Sequence, residues 1–343
     1  MRITTTEFGD VDTDYEFDKF IQAPEFYRLR HISQLGNAYH LYPGANHSRY
    51  YHSIITHIIA TRFLWHLREH YPSQVTKRQI YLVGLAALYH DIGHVAYSHT
   101  LDHHHAHEAF GAQVLENVVK RLDKSITDGE IIMMKHMILP REDTPKHWMY
   151  QLISGTVDVD RIAYVITDSY MTGKLKHMFT NNDLQILISD TFIGDDDQLW
   201  FHSHCEKQIV SLLTVRFYLF KEIYMHRDII CINEMMRNMK LQVPSTMEDK
   251  LKFVDAKMDE LMSSEPTFHR IMKSDLATCQ ILYSKQVPDD TDGASVYEMG
   301  TSRKELEQLR IHPEPVRLIV PHMYILFSML DNDTDETTIL FDK

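Results

Sequence analysis

The chain has 343 residues, 44% hydrophobic and 24% charged, which is enough for one large domain or two ordinary ones with an ample core. Its formal net charge of −13 argues against broad electrostatic capture of nucleic acid, while leaving room for a small polyanion in a locally basic pocket. No run of about 18 apolar residues occurs, so no membrane span is expected. The N-terminal MRITTTEFGDVDTDY is polar and acidic and lacks the pattern of a secretory signal. Cys205, Cys231 and Cys279 are widely spaced and odd in number, which suits buried thiols in a reducing compartment rather than a disulfide frame or a CxxC zinc site. A cytoplasmic, intracellular protein is expected, with the nucleus left open.

In chain order, loop formers come first: Gly36, Pro43 and Gly44 punctuate a basic stretch holding Arg28, Arg30, His47 and Arg49. Ile54, Ile55, Ile58, Ile59, Phe63 and Leu67 then recur at helical spacing over residues 52–71. Residues 77–90 are apolar almost all round, the pattern of a central buried helix, with Gly93 marking its end. Amphipathic helices follow over 106–122 and 158–171. After Gly173 the character changes. Apolar residues at 186–188 and 199–201 flank Gly194-Asp-Asp-Asp and read as a short strand pair. Residues 209–239 return to helical periodicity, 247–262 read as a charged surface helix, 287–300 as a loop, and 318–330 as a late strand or packing segment. The expected fold is mainly α: a helical core over 1–175, and a smaller α+β C-terminal region over 176–343.

Chemistry concentrates in His52, the adjacent pair His90-Asp91, and Asp160. Two imidazoles and two carboxylates suit a divalent metal such as Fe, Mn, Zn or Mg. Such an ion can polarise a phosphoryl oxygen and lower the pKa of a water. Adjacent helical residues do not share a face, so His90 and Asp91 can both serve only at a helix end. Arg49, three residues before His52, brings a bidentate phosphate donor close. His94 lies one turn beyond His90 if the helix persists, and His107-Glu108 has the form of an imidazole oriented by a carboxylate. The run His103-His104-His105 reads as an exposed polar loop.

Taken together, RLRHISQLGNAYHLYPGANHSRYYHS, ALYHDIGHVAYSHTLD, HE and DVDRIAYVITDS closely resemble the HD-superfamily deoxynucleoside triphosphate (dNTP) triphosphohydrolases. The likeness extends to members that join a SAM domain to the HD domain and to bacterial dGTPase-like members. It is strong from Pro24 to Asp168 and traceable through RFYLFKEIYMHR at 216–227. The resemblance implies that His52, His90, Asp91 and Asp160 hold one tightly bound metal ion, with a further Mg accompanying the triphosphate. It gives His107, supported by Glu108, and His94 catalytic roles, and has Asp102 orient a histidine or a water. His99 matches a further position around the substrate, Arg49 and Arg161 contact the triphosphate, and Tyr164 and Asp168 hold the deoxyribose. Gln34 and Leu35 crowd the sugar, read its 3′-hydroxyl and reject a 2′-hydroxyl. The implied reaction takes dNTP and water to deoxynucleoside and inorganic triphosphate, in a homo-oligomer, dimer or tetramer.

The pattern also departs from the family. No SAM domain is expected, and Gln22 and Tyr27 stand where an activating guanine nucleotide would be read, although Arg30 is retained. The segment between Asp102 and His107 is short. An expected phosphate-contacting arginine reads as replaced by Glu222, with Lys221 or Arg227 as substitutes, and an expected sugar-packing tyrosine reads as replaced by Ile230. These changes keep open an HD phosphohydrolase for another nucleotide (a monophosphate, a modified or a cyclic one) and, more remotely, a non-catalytic nucleotide sensor.

Overall fold

Among the described residues helices dominate, and sheet is confined to two small patches. The computed structural model describes residues 1–100, 106–140, 144–239 and 244–263, together with 311 and 312. The chain opens with a hairpin, β1 (Arg2–Thr5) against β2 (Gly9–Asp12), followed by the short helices α1 (Tyr15–Ile21) and α2 (Pro24–Tyr27). The core is built from α3 (Arg49–His70), α4 (Lys77–Tyr89), α5 (Ala106–Leu122), α6 (Asp128–Ile138), α7 (Trp148–Ser154) and α8 (Val159–Met171). Beyond it come α9 (Asn181–Ser189), the antiparallel pair β3 (Thr191–Ile193) and β4 (Leu199–His202), α10 (Glu206–Leu219), α11 (Arg227–Asn238), α12 (Met247–Lys252) and α13 (Asp255–Met262). Ile311–His312 (β5) pairs parallel with β4.

Helix α4 is the axis of the core. Every residue from Ile80 to Tyr89 is buried, which explains why its apolar pattern has no polar face. Its start is fixed by a capping box between Thr76 and Gln79, worth about 1 kcal/mol. Helix α3 packs along it and also touches α8, so the start of α3, the end of α4 and the start of α8 meet at one end of the bundle. Ser48 caps α3 by accepting from Tyr51 N, and Asp158 caps α8 by accepting from Arg161 N at 2.7 Å.

Two sequence expectations change. Residues 186–188 are helical, because Thr180 and Asp183 form a capping box that starts α9 and leaves only 191–193 for the strand. The segment 247–262 is two helices broken at Phe253, and Phe253, Met258 and Met262 are buried, so it is no surface helix. The polar N-terminus forms a hairpin whose amino group bonds Asp18. The segments 287–300 and 318–330 and the run His103-His104-His105 lie outside the described residues.

Gly93 does more than end a helix. A Cβ there would stand 1.9 Å from His107 O and 2.5 Å from Gly111 N, so only glycine lets the turn after α4 lie against the backbone of α5. Both obstacles are backbone and cannot swing away. Gly93→Ala is expected to cost about 3 kcal/mol or more, read as a lowered urea midpoint.

Candidate metal and phosphate site

The three helix ends deliver the expected donors to one place. His52 sits one turn into α3, His90 is the C-cap of α4 and Asp91 opens the turn behind it, and Asp160 lies in the first turn of α8. His52 Nε2 and His90 Nε2 are 3.1 Å apart. Asp160 Oδ1 lies 2.9 Å from the first and 3.3 Å from the second. The Asp91 carboxylate is 3.6 Å from each imidazole. Ligand atoms of His52, His90 and Asp91 all fall within 4.8 Å of one another.

Two ring nitrogens facing each other among carboxylate oxygens is the disposition of atoms around a shared cation. His90 Nδ1 lies 2.8 Å from Ala87 O, a bond that fixes the ring and leaves Nε2 as the lone-pair donor. The set therefore fits a divalent ion with mixed nitrogen and oxygen ligands. Without an ion, burial alone would lower His90, but Asp91 and Asp160 outweigh it and raise it to about 9. Before any cation enters, the two carboxylates thus favour a proton on His90, in the place a divalent ion would take.

Arg49 and His94 frame this cluster. Arg49, itself buried, donates through Nη1 to Asp91 Oδ2 and through Nε to Ser98 Oγ at 2.7 Å. Burial pushes Asp91 up, but the Arg49 charge, followed by His90 and His94, holds its carboxyl well below the usual range. His94 Nε2 is 3.3 Å from Asp91 Oδ1. It reaches there from a turn, because α4 does not persist past Tyr89. Burial and then the Arg49 charge keep His94 well below the usual histidine range, so it is a neutral imidazole. The His107 ring stacks on it, with centroids 3.9 Å apart. Glu108 follows His107 in the first turn of α5. Asp102 and the side chain of His99 lie outside the described residues.

A second wall stands alongside. Asp168 is buried; one oxygen lies 2.8 Å from His47 Nε2 and the other accepts from Tyr224 OH at 2.6 Å. Gln34 is joined to this wall through its backbone N–H, which donates to His47 O at 3.0 Å, and its side-chain Oε1 is buried with no hydrogen-bond partner among the described residues. Leu35 follows, partly buried against the core. Tyr164 OH accepts from Arg216 Nε at 2.8 Å, and its ring meets the Tyr224 ring edge-on at 6.3 Å. Arg161 lies beside Asp158, with 3.7 Å between Nε and Oδ2. Burial and the Asp160 charge push Asp158 up to about 7 against the pull of Arg161.

Arg216 and Tyr224 were missed in the sequence. The side chain of Glu222 is 45% exposed and pairs with Lys221, and Ile230 is buried. The guanidinium and the phenol that bond Tyr164 and Asp168 come from Arg216 on α10 and Tyr224 in the π-helical turn Phe220–Tyr224. A π turn resets the helical phase, so a reading at 3.6 residues per turn does not find Tyr224; such turns cluster at functional sites. Arg28, read as one of the basic cluster, is buried and donates to Ile92 O at 2.6 Å, which braces the His90-Asp91 turn from behind. Arg30 stays at the surface over the rings of Tyr50 and Tyr27.

Residues 49–154 match the HD domain family. The HD domain thus begins at Arg49 and includes His52, His90, Asp91, His94 and His107, while Asp160 lies just beyond it. The chain is 30% identical over 254 residues to an uncharacterised protein of Methanocaldococcus jannaschii, covering 74% of this chain and 51% of that protein. It is 27% identical over 286 residues to the deoxynucleoside triphosphate triphosphohydrolase SAMHD1 homolog of Dictyostelium discoideum, covering 76% and 54%. A putative HD domain-containing protein of Acanthamoeba polyphaga mimivirus is 24% identical over 337 residues, covering 88% and 71%. The chain spans about half the length of the first two. Among the described residues no helix is long and apolar enough to cross a membrane.

Asp160 is the donor whose share in metal binding is most directly testable. Asp160→Asn and His52→Ala are each expected to weaken Mn²⁺ binding by at least ~100-fold in calorimetric titration, more than the roughly 10–100-fold that follows loss of an outer partner.

Proposed function

We propose that the protein is a metal-dependent dNTP triphosphohydrolase that breaks the bond between the α-phosphorus and the 5′-oxygen. The observation that carries this reading is the pairing of the His52–His90–Asp91–Asp160 cluster with a second wall, formed by Gln34, Asp168, Tyr164 and Tyr224, that suits a sugar. The similarity to the SAMHD1 homolog supports it. A divalent ion held by those four residues (Fe, Mn, Zn or Mg) would supply charge stabilisation at the phosphoryl oxygens and a more acidic water; a further Mg would enter with the triphosphate.

The chain's own residues do the rest. Arg49, Arg161 and Arg216 offer guanidinium groups to the phosphates and stabilise charge that grows as the bond breaks. His107, stacked on neutral His94, protonates the departing 5′-oxygen, with Glu108 as its support. His99 and Asp102 belong to the same proposal as neighbours of the triphosphate. On the sugar side, Asp168 uses one lone pair on each oxygen for His47 and Tyr224, and a carboxylate has others for a 3′-hydroxyl. Burial holds the Tyr224 phenol protonated, with the Asp168 charge adding to the effect, so it remains a donor. Gln34 Oε1 is an alternative acceptor for that hydroxyl's single proton. Leu35 fills the space a 2′-hydroxyl would need, and a hydroxyl buried there without a partner is costly. Assembly as a homo-oligomer, dimer or tetramer, belongs to the same proposal, as does the division into a core over 1–175 and a C-terminal region over 176–343.

Arg216, bonded to Tyr164, and Tyr224, bonded to Asp168, favour the dNTP reading over the alternative substrates suggested by Glu222 and Ile230. Purified protein incubated with Mn²⁺ and each dNTP and NTP should release one triphosphate per deoxynucleoside and little from NTPs. His107→Ala should lower kcat by ~10²–10⁴-fold with metal binding retained. Orthophosphate without triphosphate would reject the reading.

A further inference from the structure

The loop carrying Ser98 is shaped from outside the HD domain. Tyr97 and Ser98 have φ of 56° and 51°, a left-handed conformation that side-chain-bearing residues adopt only when held there. What holds them is the segment around α13. Phe253 O accepts from Ala96 N at 3.0 Å, and Asp259 accepts from Tyr97 OH. Val95, Ala96 and Tyr97 pack with Phe253, Met258 and Met262 in a hydrophobic cluster of their own.

At the centre of this contact is Asp255, the first residue of α13. Its carboxylate does not cap its own helix. One oxygen accepts from Tyr97 N at 2.7 Å and the other from Ser33 N at 2.8 Å. Those two amides belong to opposite sides of the site. Ser33 precedes Gln34 and Leu35, and Tyr97 precedes Ser98. The sides are joined again directly, since Ser98 Oγ donates to Ser33 O and accepts from Arg49 Nε, each at 2.7 Å. Arg49 in turn bonds Asp91. Gly36, with φ of 51°, lies against Tyr97 O, so the Gln34-Leu35 turn has little freedom of its own. Burial pushes Asp255 up to about 6, against the pull of the Tyr97 and Ser33 amides, with Asp259 raising it further and Arg49 lowering it.

We propose that Asp255 is a positioning residue: by holding the Ser33 and Tyr97 amides on one carboxylate, it fixes Arg49, through Ser98, and Gln34 in register with each other. The segment 253–262 thereby completes the catalytic site without touching a reacting atom. This rests on the reading of Arg49 and Gln34 as substrate contacts.

The test uses the full chain with Mn²⁺ and dNTPs. Asp255→Asn presents an amide group to one of the two N–H donors and breaks one bond. It is expected to lower kcat by ~10–100-fold, as a misplacement of about 1 Å does, with KM within about threefold and Mn²⁺ stoichiometry unchanged. Amide hydrogen exchange at Ser33 or Tyr97, whichever loses its acceptor, should accelerate by at least about tenfold. Asp255→Asn combined with Ser98→Ala should be no slower than the worse single variant by more than about twofold, because both act on one chain of contacts. If Asp255→Asn does not fold, Asp255→Glu, which keeps the charge and displaces the carboxylate by one methylene, is read the same way. Turnover like the wild type in a folded Asp255 variant, or additive losses in the double variant, overturns the proposal. If the wild type releases no triphosphate, the functional reading fails instead. The exchange measurement then still decides the positioning, since unchanged protection at Ser33 and Tyr97 would refute it.

Discussion

Arg49 is the first residue of α3 and 3% exposed, a place where an unpaired guanidinium would cost several kcal/mol. Asp91, just past the end of α4, answers it. Because both ends of this pair are buried, the start of α3 and the end of α4 are fixed relative to each other, and His52 and His90 ride on those same two ends. The pair also keeps Asp91 ionised, which a carboxylate buried alone would not be. Asp160 then closes the cluster from α8, whose start is set by the Asp158 cap. One ion pair therefore governs two helix termini, the Asp158 cap sets the third, and the candidate metal site is the place where they meet.

Much of this was legible in the chain. The tetrad could be named because HD after an apolar run, with histidine upstream and DVD downstream, requires convergence at helix ends, and α4 is apolar enough to be recognised as central. Helix α5 is found where its amphipathic pattern places it. The mainly α class follows from the same periodicities.

What was not legible depends on contacts with no local signature. Arg216 and Tyr224 reach the site across a π turn, where periodicity loses its phase. Asp255 sits among charges that look like a solvated face, and only the tertiary structure shows its carboxylate bonded to two amides more than 150 residues away, at |i−j| of 158 and 222. Gly93 looks like a helix stop, and its need to lie against α5 appears only when the two backbones meet. Gly36 and Pro43 mark a loop but do not say that the loop forms a wall against Asp168 through His47. Metal ligands at helix ends announce themselves in sequence; the residues that orient a substrate beside them come from wherever the fold has a wall to offer.

The position of bond cleavage tests the account most directly. Hydrolysis of a dNTP in ¹⁸O-labelled water, with products resolved by mass spectrometry, reports which phosphorus is attacked. Attack at the α-phosphorus beside the His52–His90–Asp91–Asp160 cluster puts one label into inorganic triphosphate and none into the 5′-hydroxyl of the deoxynucleoside. Label in orthophosphate or pyrophosphate, with a deoxynucleoside diphosphate or monophosphate as the other product, would contradict it.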